Sequence, residues 1–192
     1  MEMDLFEKAL VFAMEKHHGA KRKASDIPFI LHPMEVAVIA STMSEDEVLL
    51  AAALLHDTVE DTDATLEEIR ENFGNEVLAL VASETEDKRP GTPPSETWLI
   101  RKQESLRELE TAEDINVKKL WLADKLANMR SFHAQYAEKG RDMWNVFHQK
   151  DPKLQEWYYR EIARLTEELK DYPAWQEYSF LINTIFKGDN EQ

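Results

Sequence analysis

The stretch Ser44-Glu-Asp-Glu-Val48-Leu-Leu-Ala-Ala-Ala-Leu-Leu-His56-Asp57 decides how this chain folds. Ser44 followed three residues later by Glu47 has the spacing of a capping box, which satisfies the first free N–H groups of a helix. The helix it opens is apolar at nearly every position from Val48 to Leu55. It has no polar face to give to water, so it belongs in the middle of a helical bundle. It ends in a titratable pair, His56-Asp57, and a second acidic pair, Glu60-Asp61, follows three residues on. Unpaired charge at the edge of a core is costly, and a bound divalent cation would remove that cost. Histidine beside carboxylates suits Mn²⁺, Fe²⁺, Co²⁺, Ni²⁺ or Zn²⁺, and oxygen-poor ligation disfavours Ca²⁺. The alternative is purely structural: His56 caps the helix C-terminus and Asp57 pairs with a lysine.

Helical periodicity extends from this segment in both directions. Leu5, Phe6, Ala9, Leu10, Phe12 and Ala13 form a broad apolar face that stops near His17–Gly19. A second helix is predicted to start at Pro33, a residue suited to the first helical position. Thr65-Leu-Glu-Glu68 is another capping box, opening a short helix that stops at Gly74. Further helical patterns cover about 75–87, 96–112, 115–132, 138–148, 152–171 and 174–187. Strand alternation, hairpin signals and repeats are missing. The clear loop is Lys88-Arg-Pro-Gly-Thr-Pro-Pro-Ser95, a candidate mobile rim element. Trp144, Trp157, Tyr158, Tyr159 and Trp175 read as core and docking surface of the C-terminal helices, against the same domain or a second subunit. The prediction is one all-α domain over residues 1–192, with a core over about 1–132 and added helices over about 138–187.

With 192 residues, 43% hydrophobic and 32% charged, the chain has the composition of a single globular domain. No apolar run approaches the length of a membrane span, and the acidic start Met1-Glu-Met-Asp4 does not read as a secretory leader. Zero cysteines exclude a disulfide framework, thiolate metal sites and thiol catalysis. The expected location is the cytoplasm. Five glycines argue against a Rossmann sheet or a glycine-rich phosphate loop. The net charge of −15 repels nucleic acid and anionic membranes. It repels phosphorylated metabolites too, so a phosphate site must be a local exception. Lys16, Lys21, Arg22 and Lys23 make one basic cluster; Lys118, Lys119, Lys125 and Arg130 make another around Asp124. Both also read as solvated helix ends.

Other candidate ligands are His32, at a rigid helix entry before Pro33, and Asp124, the one acid inside Leu120-Trp-Leu-Ala-Asp-Lys-Leu126. An acid there is either paired with a cation or breaks the pattern. Lys125, next door on the helix, is expected to point elsewhere. Asn128 follows Asp124 one turn along, on the same face.

Taken together, His17-His-Gly-Ala-Lys-Arg-Lys23, Pro28-Phe-Ile-Leu-His-Pro-Met-Glu-Val36, Ala52-Ala-Leu-Leu-His-Asp-Thr-Val-Glu-Asp-Thr62 and Leu122-Ala-Asp-Lys-Leu-Ala-Asn-Met-Arg130 resemble the HD-domain hydrolases of the RelA/SpoT type. The resemblance is closest to their small stand-alone alarmone hydrolases and covers residues 1 to about 132. It implies an HD-domain helical bundle and a phosphohydrolase that releases pyrophosphate from guanosine 3′-pyrophosphates such as ppGpp. Position by position it implies His32, His56, Asp57 and Asp124 as ligands to one Mn²⁺, and Glu60 and Asp61 as the catalytic acidic pair. It places Asn128 near metal and substrate, and Arg22 and Lys23 in the nucleotide pocket, where a guanidinium stacks on a purine and a lysine meets phosphate. The metal would activate a water and polarise the phosphoryl group, with Glu60, aided by Asp61, orienting or deprotonating that water. The partner is then a small nucleotide, with no role for nucleic acid or membrane.

The sequence departs from the family in Ala24-Ser-Asp-Ile-Pro-Phe29, where Ser-Gly-Glu-Pro-Tyr is usual, in Ala127 for a histidine and in Ala20 for a glutamine. These touch base and ribose recognition and leave two other readings open. One is an enzyme for another nucleotide, for example removing the 2′-phosphate of NADPH. The other is a metal-stabilised module that binds a nucleotide without turnover. His17 matches a family histidine and is either catalytic or a structural hydrogen-bonding group. Lys88, Arg101 and Lys102 either reach substrate phosphates or form charged helix faces. His18, His133 and His148 are expected at the surface.

Overall fold

Helix α3, Glu47–Leu55, sits where its composition requires: Leu49, Ala51, Ala52, Ala53, Leu54 and Leu55 are all buried. Its alanines let neighbouring helices come close. Around it pack α1 (Leu5–Lys16), α2 (Leu31–Ser41), α5 (Leu66–Glu84) and α7 (Ile115–Lys139). A short α4, Thr58–Asp61, follows α3 directly, and α6 (Pro94–Thr111) lies beyond the loop after α5. The order closes with α8 (Pro152–Leu165) and α9 (Pro173–Asn190). This computed structural model describes residues 3–22 and 25–190. Lys23, expected to line the nucleotide pocket, and Ala24 of the altered loop lie outside the described residues.

The long α7 carries the architecture, because it packs on α2, α3 and α5 and also on α8 and α9. One continuous buried cluster runs from Ala9 to Phe186. Within it Trp144 stacks on Phe186 at 5.5 Å, and the Tyr178 hydroxyl donates to the Tyr159 carbonyl at 3.0 Å. Among the described residues there is no strand, only an isolated antiparallel bridge between Lys21 and Pro28 that closes the loop after α1. No helix among them is long and apolar enough to cross a membrane.

Several boundaries differ from the sequence expectation. Asp46, not Ser44, caps α3, its carboxylate accepting from Val48 N at 2.9 Å. Ser44 turns to the Asp46 N–H instead; a charged acceptor complements the positive helix end better than a hydroxyl does. α2 begins at Leu31, two residues before Pro33, which costs little because first-turn N–H groups have no partner within the helix. The box at Thr65 and Glu68 forms on both sides. Gly74, at φ 86°, breaks the helical path as predicted, but helix resumes at once on the other side. α7 runs to Lys139 and stops at Gly140, φ 56°. The helix expected over 138–148 is a 3₁₀ segment, Gly140–Val146, and α8 stops at Leu165, with a 3₁₀ turn at Glu167–Leu169. Four-residue α4 is too short to show a period.

Candidate active site

The end of α3 makes the first contact. His56 Nδ1 lies 2.8 Å from the Ala53 carbonyl, an acceptor only, so Nδ1 carries a proton. Its Nε2 faces inward, buried and without a hydrogen-bond partner. Yet it lies 3.3 Å from Asp57 Oδ2 and 3.7 Å from Asp124 Oδ1. His32, second residue of α2, sends its Nε2 to the same point, 3.0 Å from Asp124 Oδ1 and 3.4 Å from Asp57 Oδ2. Three elements distant in sequence thus converge two imidazoles and two carboxylates. Ligand atoms of His32, His56 and Asp124 all lie within 4.8 Å of one another.

This set fits a divalent cation, because an unpartnered buried imidazole nitrogen aimed at two carboxylates is what a metal would satisfy. Without a cation the four groups lean on one another. Burial would lower His56, but Asp57 and Asp124 hold it well above the usual imidazole range. Burial would raise Asp57, but His56 outweighs it and holds that carboxyl far below its usual range. The purely structural alternative is half realised: His56 does cap a free carbonyl, but among the described residues the partners of Asp57 are imidazoles and not a lysine.

Asp124 corrects the expectation for its neighbour. Lys125 does not point elsewhere; its Nζ pairs with Asp124 Oδ2, lies 3.2 Å from Glu84 Oε2 and sits 4.7 Å from the centre of the Trp121 ring. Four methylenes let the side chain curl back from a position that starts about 100° round the helix. Burial pushes the Glu84 carboxyl up to about 7, against the pull of Lys125. Glu84 was not foreseen; an acid in the last turn of an otherwise apolar helical stretch was the available signal. Asn128 donates to Asp124 Oδ1 at 2.8 Å and accepts from Arg22 Nη2 at 3.3 Å, linking the candidate ligand set and the basic loop.

α4 carries the second acidic pair. Glu60 is mostly buried and accepts from Glu86 N at 3.4 Å. Burial, then the Asp57 and Glu86 charges, raise its carboxyl above the ordinary range. Asp61 is more exposed and meets Lys88 Nζ at 2.5 Å; Lys88 also donates to the Glu60 carbonyl at 2.8 Å. His32, Glu60, Asp61 and Asn128 border a cleft of about 890 Å³, with Lys21, Arg22, Lys88 and Arg101 among its other walls. That is room for a nucleotide-sized molecule. An annex of about 260 Å³ opens beside Arg101 and Asn128 and is lined by Lys102, Lys125 and Tyr158. In this state Arg101 and Lys102 both hold Glu86, at 2.6 Å each.

The histidines separate by environment. His17 is buried, packs tilted against Phe29 with ring centres 4.7 Å apart and is lowered by burial, which outweighs Asp57 and Asp61. Phe29 also lies edge-on to His32 and beneath the Arg22 guanidinium. His18 and His133 are exposed as expected. His148, expected at the surface, is exposed but lines both cavities. The basic clusters divide too. Lys16 ties α1 to Asp63 and Glu68, Lys118 pairs with Glu168, and Arg130 bridges Glu35 and Glu177, all as helix-to-helix ties.

The family described as HD domain matches residues 9–152. GTP pyrophosphokinase rsh of Brucella abortus (strain 2308) is 43% identical over 141 residues, which is 70% of this chain and 18% of that one. GTP pyrophosphokinase of Myxococcus xanthus is 37% identical over 140 residues, 72% of this chain and 18% of its own. The chain therefore spans less than a fifth of the length of these curated relatives. Among solved structures, lmo0812 from Listeria monocytogenes EGD-e is 36% identical with a TM-score of 0.70, covering 81% of this chain and 99% of its own. A metazoan ortholog of SpoT, described as hydrolysing ppGpp, is 25% identical with a TM-score of 0.71, covering 100% of this chain and 99% of its own.

Proposed function

This chain belongs to the HD-domain family, and we propose that it is a metal-dependent hydrolase that releases pyrophosphate from guanosine 3′-pyrophosphates such as ppGpp. The observation that carries the reading is the convergence of His32, His56, Asp57 and Asp124 beside a cleft that His32 and Glu60 line and that has basic side chains on its walls. These four residues would hold one divalent ion, which we take to be Mn²⁺. When bound, such an ion supplies Lewis-acid polarisation of a phosphoryl group and lowers the pKa of water.

The chain's own residues then divide the work. Glu60, poorly solvated and raised above the ordinary carboxyl range, orients the attacking water and takes its proton. Asp61, tied to Lys88, keeps that lysine at the rim of the acidic pair. Attack on the phosphorus carried by the ribose 3′ oxygen breaks the P–O3′ bond. Pyrophosphate departs, and the 3′ oxygen regains a proton as a hydroxyl. Asn128 joins Asp124 to Arg22, so the base-recognition side of the cleft is fixed in register with the ligand set. Phe29 presents a ring without a hydroxyl beneath Arg22, a stacking surface and not a donor. The setting proposed is the cytoplasm and the partner a small nucleotide.

The test is incubation of the purified protein with ppGpp, pppGpp and NADPH in Mn²⁺, with products separated by ion exchange. Pyrophosphate with GDP or GTP is the expected result. Orthophosphate and NADH would transfer the activity to the 2′-phosphate of NADPH, and binding without products would make the chain a nucleotide-binding module. Repeating the assay with Mg²⁺, Co²⁺ and Zn²⁺ tests the metal.

A further inference from the structure

We propose that Lys125, anchored by Glu84, is a positioning residue for the metal centre: it occupies one oxygen of Asp124 so that the other is presented to the cation. The proposal rests on the metal-centre reading above. The two oxygens of Asp124 have separate surroundings. Oδ1 faces His32 Nε2 at 3.0 Å and His56 Nε2 at 3.7 Å, and accepts from Asn128. Oδ2 is paired with Lys125 Nζ. Adjacent residues on a helix diverge, so this contact exists only if the ammonium is held from its far side. Two groups hold it there. Glu84 Oε2, on the last turn of α5, lies 3.2 Å away, and the Trp121 ring, one turn back on α7, lies beneath at 4.7 Å. Trp121 Nε1 in turn donates to the Ser83 carbonyl at 3.2 Å, locking α5 to α7 at this level.

Core packing does not account for Glu84. It is buried and its Oε1 has no partner, and a buried acid left half satisfied is costly. Charge accounts for it. A lysine alone beside Asp124 would add a positive charge next to a site for a cation. A glutamate beside the lysine offsets part of that charge and leaves the orienting hydrogen bond in place. Groups of this kind that fix a ligand's direction commonly govern metal affinity.

The experiment is isothermal titration of metal-free protein with Mn²⁺, without substrate, together with the melting temperature of each metal-free variant. Lys125→Met is expected to weaken Mn²⁺ binding by about 10- to 100-fold. Glu84→Gln, which keeps the lysine but strips its counter-charge, is expected to weaken it as well. The double variant should lose less than the two single losses combined, because the partners act as a unit. A folded Lys125→Met protein that binds Mn²⁺ as well as wild type, or better, would overturn the proposal. If Lys125→Met does not fold, Glu84→Gln with wild-type affinity would do the same. Wild-type protein that binds no Mn²⁺ would overturn the metal centre itself, and this proposal with it. Since no nucleotide is present, an error in the substrate reading leaves all of these outcomes unmoved.

Discussion

Replacing Glu60 with glutamine keeps the shape of the side chain and removes its capacity to take a proton. The structure says what else should change. The one backbone donor to this carboxylate, Glu86 N at 3.4 Å, can be met equally by an amide oxygen. Lys88 Nζ, 3.5 Å from Oε1, keeps its stronger ties to Asp61 and to the Glu60 carbonyl. No atom of the proposed ligand set is touched. The loss should therefore fall on kcat. General base catalysis contributes about 10²- to 10⁴-fold, or about 3–5 kcal/mol at 1.36 kcal/mol per decade. Mn²⁺ affinity should stay within about threefold of wild type on that reasoning. Stability should move the other way. Because the folded protein raises this carboxyl, its contribution to stability is present below the ordinary glutamate range and lost as pH rises through the folded value. At neutral pH the ionised group therefore costs stability, and metal-free Glu60→Gln should melt no lower than wild type. The assays are steady-state pyrophosphate release, Mn²⁺ titration and thermal melts. A variant keeping more than about a tenth of wild-type kcat would refute the general-base role; loss of metal binding would show Glu60 to be a ligand.

Asp57→Ala removes a carboxylate that both imidazoles share, so metal and activity should disappear together, read by Mn²⁺ titration beside turnover. Stripping wild-type protein with a chelator should abolish turnover reversibly and lower the melting temperature, since saturation at about 100 times Kd contributes about 2.7 kcal/mol. Leu54→Ala in the fully surrounded α3 should cost about 2–5 kcal/mol in denaturant unfolding. Arg130→Ala cuts the tie from α7 to Glu35 on α2 and Glu177 on α9. These groups are partly exposed, so the loss should be at most about 1 kcal/mol. Arg130 holds Glu177 below the ordinary carboxyl range, so the difference between wild type and variant should be present at pH 7 and vanish as pH falls through that lowered value, followed by melts across the acid range.

How much of this was legible in the sequence depends on the range of the interaction. The centre of the bundle was, because eight consecutive apolar residues allow a helix only one kind of neighbourhood. The Thr65 box and the Gly74 break were also legible, since both act within four residues. Ser44 misled because two capping groups stood two residues apart and the choice fell to the charged one, Asp46. His32, His56, Asp57 and Asp124 were individually odd residues whose convergence no local pattern shows; the resemblance grouped them, and the three-helix geometry supplies the distances. Lys125 was misjudged by a rule about where side chains start, when the outcome depended on Glu84, forty-one positions away.

The same long-range pairing bears on the tension between an acidic chain and the phosphate-bearing ligand proposed for it. Several basic side chains outside the cleft join one element to another, as Lys16, Lys118 and Arg130 do. Four on its walls are engaged as well, but each with a partner that a phosphate can replace. Lys21 holds Asp26, Arg22 holds Asn128, Lys88 holds Asp61 and Arg101 holds Glu86. At Lys21, Lys88 and Arg101 a phosphate entering the cleft thus exchanges one anionic partner for another, while at Arg22 it replaces a neutral amide. Such an exchange yields little net energy for a single phosphate, because the displaced carboxylate must be rehydrated or paired again. It favours a ligand that carries several phosphoryl groups and can make several exchanges at once, while one of them reaches the proposed metal site. Under the proposed function, selectivity for a polyphosphorylated nucleotide would follow from the acidic composition instead of standing against it.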